Sequence, residues 1–344
     1  ERSPTPFLDS LIQESWVFEN AYAAGGRSTQ GIAAIAASVP ALMEMPMTFS
    51  PYQGNRVQGL AYHLGKKGYT SGFFHGSNPG SMEFERFSKS IGYEKFYDKT
   101  AYPNPEDYDG NWGIWDRPFF QFTLGEVNQY NKPFTVLLFS LTSHHPYSVE
   151  SFFEKKYPEE KPILRAIRYT DYALQQFFAT AKKMDWYENT LFVITADHVG
   201  RATQKKYKTK VGAHQIPLLF FKPNATLKGN YHGLVQQTDI LPTILDYLNF
   251  DEPYVAFGQS AFDTTTDRYG YLYGGGFYQI LNDSIWLSFD QKNIVGVRNY
   301  KNDVLLKHDI AGKYQDLQAT LTQQLQAAIQ VHHRAMARNK MAVD

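Results

Sequence analysis

Four short apolar runs punctuate the chain at residues 69–74, 134–141, 191–194 and 216–221. Runs rich in β-branched and aromatic residues and bounded by turn formers predict buried strands. The 134–141 run is almost unbroken, which predicts a central strand covered on both faces. Between these runs the apolar positions recur at helical spacing. Residues 9–23 start on a capping Asp9, place Leu11, Ile12, Trp16 and Phe18 in a partly helical pattern, and become extended over 18–22. Residues 28–39 form a helix of small side chains that Pro40 closes, a surface suited to close packing on a sheet. Residues 56–67 put Val57, Leu60, Ala61 and Leu64 on one helical face. Three more helices are predicted over 114–130, with Pro118 in the N-terminal turn, over 163–184, with Ile167, Tyr169, Ala173, Phe177 and Phe178 facing the core, and over 239–249, with Pro242 in the first turn.

Strands alternating with helices imply an α/β fold with a mostly parallel central sheet flanked by helices. From Tyr269 the pattern changes to short strands at 270–273, 284–289 and 294–298, followed by a polar helix from about Tyr314. The expected organisation is therefore a main domain over 1–262 with a small C-terminal β-plus-helix addition over 263–344. The chain shows no internal repeat and no linker-like tract.

Composition removes several functions. The 344 residues carry 34 basic and 34 acidic side chains, so no net field draws the chain to nucleic acid. It has no cysteine, which excludes disulfides, thiolate metal sites and a Cys nucleophile. No apolar stretch reaches the ~18 residues that a membrane span needs. Glu1-Arg2-Ser3-Pro4 reads as a cut end. Aromatic residues make up 16%, enough to suit contact with lipid or sugar, although a large aromatic core accounts for most such rings.

Three apolar strands end in polar clusters: His75, His144-His145, and Asp197-His198. Ligands in α/β sheets bind at strand C-termini, so clustering there says more than any single histidine. Taken alone, Asp197 is equally a turn cap and His198 an exposed ring; together they suit a divalent cation with open positions. Gly25-Gly26-Arg27-Ser28-Thr29 opens the small-residue helix. A hydroxyl there is most simply an N-cap, yet it also lies among unpaired backbone N–H groups that favour phosphate, and a metal makes it a nucleophile. No Walker loop, GxGxxG or catalytic-triad spacing competes.

Thr5-Pro6-Phe7-Leu8-Asp9, Asn20-Ala21-Tyr22, Gly26-Arg27-Ser28-Thr29-Gln30-Gly31, Phe74-His75-Gly76, Gly92-Tyr93-Glu94-Lys95-Phe96-Tyr97-Asp98, Leu141-Thr142-Ser143-His144-His145-Pro146-Tyr147, Thr195-Ala196-Asp197-His198 and Thr238-Asp239-Ile240-Leu241-Pro242-Thr243 follow one another in order. This ordered set resembles the extracytoplasmic domain of lipoteichoic acid synthases and related phosphoglycerol transferases, in the sulfatase branch of the alkaline phosphatase superfamily. The resemblance covers roughly residues 5–260 and implies the superfamily's α/β fold. It also implies a nucleophile at Ser28, with Thr29 as the fallback, and a metal pair at Asp197 and His198, with Ser28 as a further ligand. His75 and His144 then bind substrate, and Arg27 assists. The implied cofactor is a divalent cation, manganese first, with magnesium or zinc as alternatives. The implied partner is a phospholipid or phosphoglycerol substrate outside the cytoplasm, with membrane anchoring by segments outside this chain.

Two departures stand out. The family's first strand carries a metal-binding Glu before the Thr-Pro motif, where this chain has only Glu1 to Pro4. The aromatic and Arg that grip glycerol phosphate fall near Met82 and Phe84, leaving Arg86 as a substitute. Ser28-Thr29-Gln30-Gly31-Ile32 lacks the Pro and Arg of a formylglycine motif, which disfavours sulfate ester hydrolysis. The expected activity is metal-dependent phosphotransfer through a covalent phospho-enzyme. The alternatives are a phosphodiesterase, a phosphoethanolamine transferase, and a ligand-binding regulatory domain without catalysis.

Overall fold

The computed structural model describes residues 3–343; Glu1 and Arg2, half of the expected cut end, lie outside them. In chain order the elements are α1 (Pro6–Ile12), β1 (Trp16–Tyr22), α2 (Ser28–Ala37), α3 (Leu60–Gly65), β2 (Thr70–Phe74), α4 (Phe84–Ser90), β3 (Lys95–Tyr97), α5 (Asp116–Val127), β4 (Phe134–Leu138), α6 (Ser151–Lys156), α7 (Pro162–Ala181), β5 (Phe192–Thr195), β6 (Leu218–Phe221), β7 (Gly229–Gln236), α8 (Ile240–Tyr247), β8 (Gly270–Gly274), β9 (Phe277–Leu281), β10 (Ile285–Phe289), β11 (Ile294–Asn299) and α9 (Gln315–Ala337). Strands pair in the orders β5-β6-β1-β7, β3-β2-β4 and β11-β10-β9-β8.

The α/β architecture is the expected one, with refinements. β2 runs parallel to β3 and to β4, but β1 and β6 are antiparallel through Trp16↔Phe220 and Val17↔Leu219. β4 is an edge strand of its three-stranded sheet, not a central one. Hydrophobicity records how well a strand's two faces are covered and is blind to how many neighbours it pairs with. The helix expected over 56–67 shrinks to Leu60–Gly65. β3, β7 and β9 escaped prediction: the first is three residues long, the second is polar and exposed over its first half, and the third begins after three successive glycines.

The described chain divides into two compact units. The first takes residues up to Val17, Leu64–Val193 and Leu219–Gly229. Its core includes Val149, Phe153, Ala166 and Tyr169, where α6 and α7 meet. Tyr169 is fully buried and donates its hydroxyl to Glu150 Oε2 at 2.6 Å, while Arg117 grips both Glu150 oxygens at 2.7 and 2.8 Å. Burying such a ring stabilises by about 1.5–3 kcal/mol, and the hydroxyl keeps that gain only because it has a partner.

The second unit takes Phe18–His63, Ile194–Leu218 and the chain from Asn230 on. It contains the antiparallel meander β8 to β11. Ile280, Leu287 and Val297 pack there against Leu321 and Leu325 of α9. Asp239, from the ordered motif set, is buried and pairs with Arg268 at 2.9 Å. Arg268 also donates to the carbonyls of Leu234 and Ser260, and Asp239 accepts from the amides of Gln236 and Gln259. That satisfaction is what makes a buried ion pair tolerable.

Candidate active site

Ser28 is the first residue of α2, and Arg27 is its N-cap in extended conformation. The first backbone N–H groups of a helix have no intrahelical partner, so this end of α2 offers donors and a positive dipole end. The Ser28 Oγ stands 3.4 Å from His198 Nε2, and that nitrogen stands 3.3 Å from Asp197 Oδ2. Both side chains retain access to solvent, at 25% for His198 and 21% for Asp197. The structure thus brings together Ser28, Asp197 and His198 within the second unit. Arg27 is exposed beside them in sequence, and Thr29 is buried, which makes Ser28 the accessible hydroxyl of the pair.

Three hydrogen bonds of Gln237 and a close approach at Gly31 hold this cluster, and sequence reasoning missed both residues. Gln237 is buried; its Nε2 donates to the carbonyls of Ala196 and Asp197 at 2.8 and 2.7 Å, and its Oε1 accepts from the Ala24 amide at 2.8 Å. One amide therefore ties the segment leading into α2 to the segment carrying Asp197. Gly31 lies one turn into α2, where a Cβ would meet the Asp197 carbonyl oxygen at 2.2 Å. Only glycine lets the helix approach that closely. Glycine inside a small-residue helix was the available signal for Gly31; Gln237 left none, because its partners are main-chain atoms remote in sequence.

The donor set can be tested against a cation. His198 Nδ1 lies 3.0 Å from the Val199 carbonyl, so Nδ1 carries the proton and Nε2 presents a lone pair. Nε2 thus faces two oxygens, Asp197 Oδ2 at 3.3 Å and Ser28 Oγ at 3.4 Å. Imidazole, carboxylate and hydroxyl form a donor set that suits a divalent ion. Among the described residues, no group of three or more His, Cys, Asp or Glu could hold a metal. The residues fit a cation but supply few of its ligands.

The other expected residues belong to the first unit. His75 is fully buried at the end of β2, stacked on Phe139 at 4.6 Å and edge-on to Phe84 at 5.4 Å. Its Nδ1 donates to the Phe139 carbonyl at 3.2 Å, and burial lowers its pKa to about 4, so the ring is neutral. Its buried Nε2 has no partner among the described residues. His144 is exposed, and its Nδ1 donates to the His145 carbonyl at 2.8 Å. Arg86 lies at the surface and pairs with Glu83 at 3.4 Å.

This fold and site define a class. A protein of the alkaline phosphatase superfamily from Vibrio parahaemolyticus superposes with a TM-score of 0.86 at 21% identity, over 99% of this chain and 83% of that one. The lipoteichoic acid synthase LtaP from Listeria monocytogenes superposes with a TM-score of 0.78 at 17% identity, over 96% and 86%. Residues 1–250 match the Sulfatase family, and the chain belongs to that family of enzymes. It is also similar to lipoteichoic acid synthase 1 of Bacillus subtilis, 27% identical over 76% of this chain and 45% of the relative. A lipoteichoic acid synthase of Staphylococcus aureus is 27% identical over 69% and 40%. The chain thus spans less than half the length of these relatives. Among its described residues, no helix is long and apolar enough to cross a membrane.

Proposed function

We propose that the chain is the catalytic part of an extracytoplasmic phosphotransferase acting on a phospholipid headgroup or phosphoglycerol polymer. The observation that carries this reading is the convergence of Ser28 Oγ, His198 Nε2 and Asp197 Oδ2 at the first turn of α2. The similarity to lipoteichoic acid synthases supports the substrate class. Asp197, His198 and Ser28 would hold a divalent cation, manganese first, which when bound supplies Lewis acidity and neutralises phosphoryl charge. Ser28 Oγ attacks phosphorus; the Oγ–P bond forms, the bond from phosphorus to the leaving alcohol breaks, and the hydroxyl proton ends on that alcohol. An acceptor hydroxyl then attacks phosphorus; the acceptor O–P bond forms, the Oγ–P bond breaks, and the acceptor's proton ends on Ser28 Oγ. The exposed Arg27 guanidinium and the N-terminal end of α2 hold the remaining phosphoryl oxygens. The family resemblance assigns His144 to substrate, and Arg86 stands in for the Arg that the family places near Phe84; His75, which the resemblance also assigns to substrate, is fully buried between Phe84 and Phe139 and here serves packing. Transfer to water or of phosphoethanolamine uses the same steps.

The test is release of diacylglycerol from phosphatidylglycerol with manganese present, followed by mass spectrometry of the protein. A headgroup-phosphate adduct on the peptide holding Ser28, and its loss in Ser28→Ala, is the expected result. Turnover unchanged in Ser28→Ala overturns the assignment. A second reading, a ligand-binding domain without turnover, draws on the small donor set and on Met82 and Phe84 at the expected headgroup position. It predicts that calorimetry detects no binding of manganese and that no phospholipid headgroup is released.

A further inference from the structure

The loop at residues 109–113 is held by one carboxylate. Asp109 Oδ1 accepts from the amides of Asn111, Trp112 and Gly113 at 2.8, 2.8 and 3.0 Å. The loop lies against the segment after β2: the Asn78 amide donates to the Trp112 carbonyl at 3.2 Å, and the Ile114 amide donates to that of Gly76 at 2.9 Å. A Cβ on Gly113 would meet the Gly76 carbonyl oxygen at 2.0 Å, so glycine is what permits this approach. The loop therefore presents Trp112 in a fixed place.

From that place Trp112 reaches the residues that follow β4. Its Nε1 donates to the His145 carbonyl at 2.6 Å, and its ring meets His144 at 4.4 Å between centroids and 65° between planes. The same His145 carbonyl receives His144 Nδ1 at 2.8 Å. A carbonyl oxygen has two lone pairs, and here one indole and one imidazole take them. The base of this segment is equally fixed, because buried Asp116 accepts from the Leu141 and Thr142 amides at 2.7 and 3.1 Å and from the Thr170 hydroxyl at 2.8 Å.

We propose that Trp112 is a positioning residue for His144: by filling one side of the His145 carbonyl and packing on the imidazole, it holds the ring with its proton on Nδ1 and presents a bare Nε2. An unrestrained neutral imidazole favours the opposite tautomer, with the proton on Nε2. The device thus converts an exposed histidine from a donor at its outer nitrogen into an acceptor, suited to a hydroxyl or to a proton in transit. Its consequence for turnover rests on the proposed contact of His144 with substrate; the tautomer itself does not.

The experiment is nitrogen NMR of histidine-labelled protein, well above the ordinary imidazole titration range, with the His144 signals assigned by their loss in His144→Ala. The expected wild-type signature is a protonated Nδ1 and an unprotonated Nε2. Trp112→Phe keeps a ring beside the imidazole and removes the indole N–H, and Trp112→Leu removes both; the fraction protonated at Nε2 should rise in that order. Asp109→Asn, which loosens the same loop and leaves Trp112 in place, should shift it in the same direction to a smaller extent. Thermal unfolding within a few degrees of wild type shows that the variants are folded. An unprotonated Nδ1 in wild type, or a tautomer unmoved in all three variants, overturns the proposal. In turnover assays Trp112→Leu should lose on the order of ten- to a hundredfold in kcat/KM. If the tautomer shifts while wild type releases no phospholipid headgroup, the positioning stands and the proposed function fails.

Discussion

His75 and His198 each follow an apolar strand, and each commits Nδ1 to a main-chain carbonyl, yet the two rings live in different surroundings. His75 is sealed between Phe84 and Phe139 with its pKa lowered to about 4, whereas His198 keeps solvent access and faces a hydroxyl and a carboxylate. The lesson is that a histidine at a strand end is typed by what packs over it. Aromatic cover takes away charge; oxygen ligands and water leave the lone pair available.

The comparison breaks first at chemistry. His198→Ala should abolish headgroup release, by about a thousandfold or more as for loss of Ser28, while stability in urea changes by no more than about 0.5 kcal/mol. A stable variant with full turnover would place His198 among structural histidines. Gln237→Leu comes next in size. It strands the Ala24 amide and the carbonyls of Ala196 and Asp197, and urea unfolding should report a loss of about 3 kcal/mol, from a penalty of ~1–3 kcal/mol per orphaned group shared with water. His75→Ala tests the other side of the comparison. Removing a buried, stacked ring should cost about 2–3 kcal/mol by cavity formation, and a loss under about 0.5 kcal/mol would mean that the ring is not packed as described.

The smallest effect near neutral pH is the acid limb of stability. Burial lowers His75 and His214 to about 4 and His332 to about 3, from an ordinary value of 6.5. The fold holds these rings neutral, so their contribution is complete above pH 6.5 and is lost as pH falls from there toward 4 and 3. Urea midpoints should be flat from pH 7 to 8 and fall below about 6.5; a midpoint unchanged down to about pH 4.5 would show that these rings charge without penalty.

Much of this was legible in the chain. A hydroxyl opening a small-residue helix and an Asp-His pair closing an apolar strand pointed to the cluster, because both signals are local. The support behind them was not legible. Gln237 acts on atoms remote in sequence, and the role of Gly31 appears only when the Asp197 carbonyl is brought against α2. The burial of His75 likewise depends on Phe139, 64 positions away, and no periodicity encodes that pairing. The edge position of β4 was hidden for the reason that an apolar run describes faces and not neighbours.

The distance in sequence between Ser28 and His198 also has a kinetic meaning. In the β8 to β11 meander each strand pairs with the next one in the chain, so its contacts close short loops and carry little entropic cost. Ser28 and His198 are 170 positions apart, so their meeting closes a far longer loop. In refolding, the meander's backbone should acquire protection from hydrogen exchange before this pair forms. Recovery of the proposed headgroup release is then a late reporter, one that marks the joining of distant segments where spectroscopic signals record only the local ones.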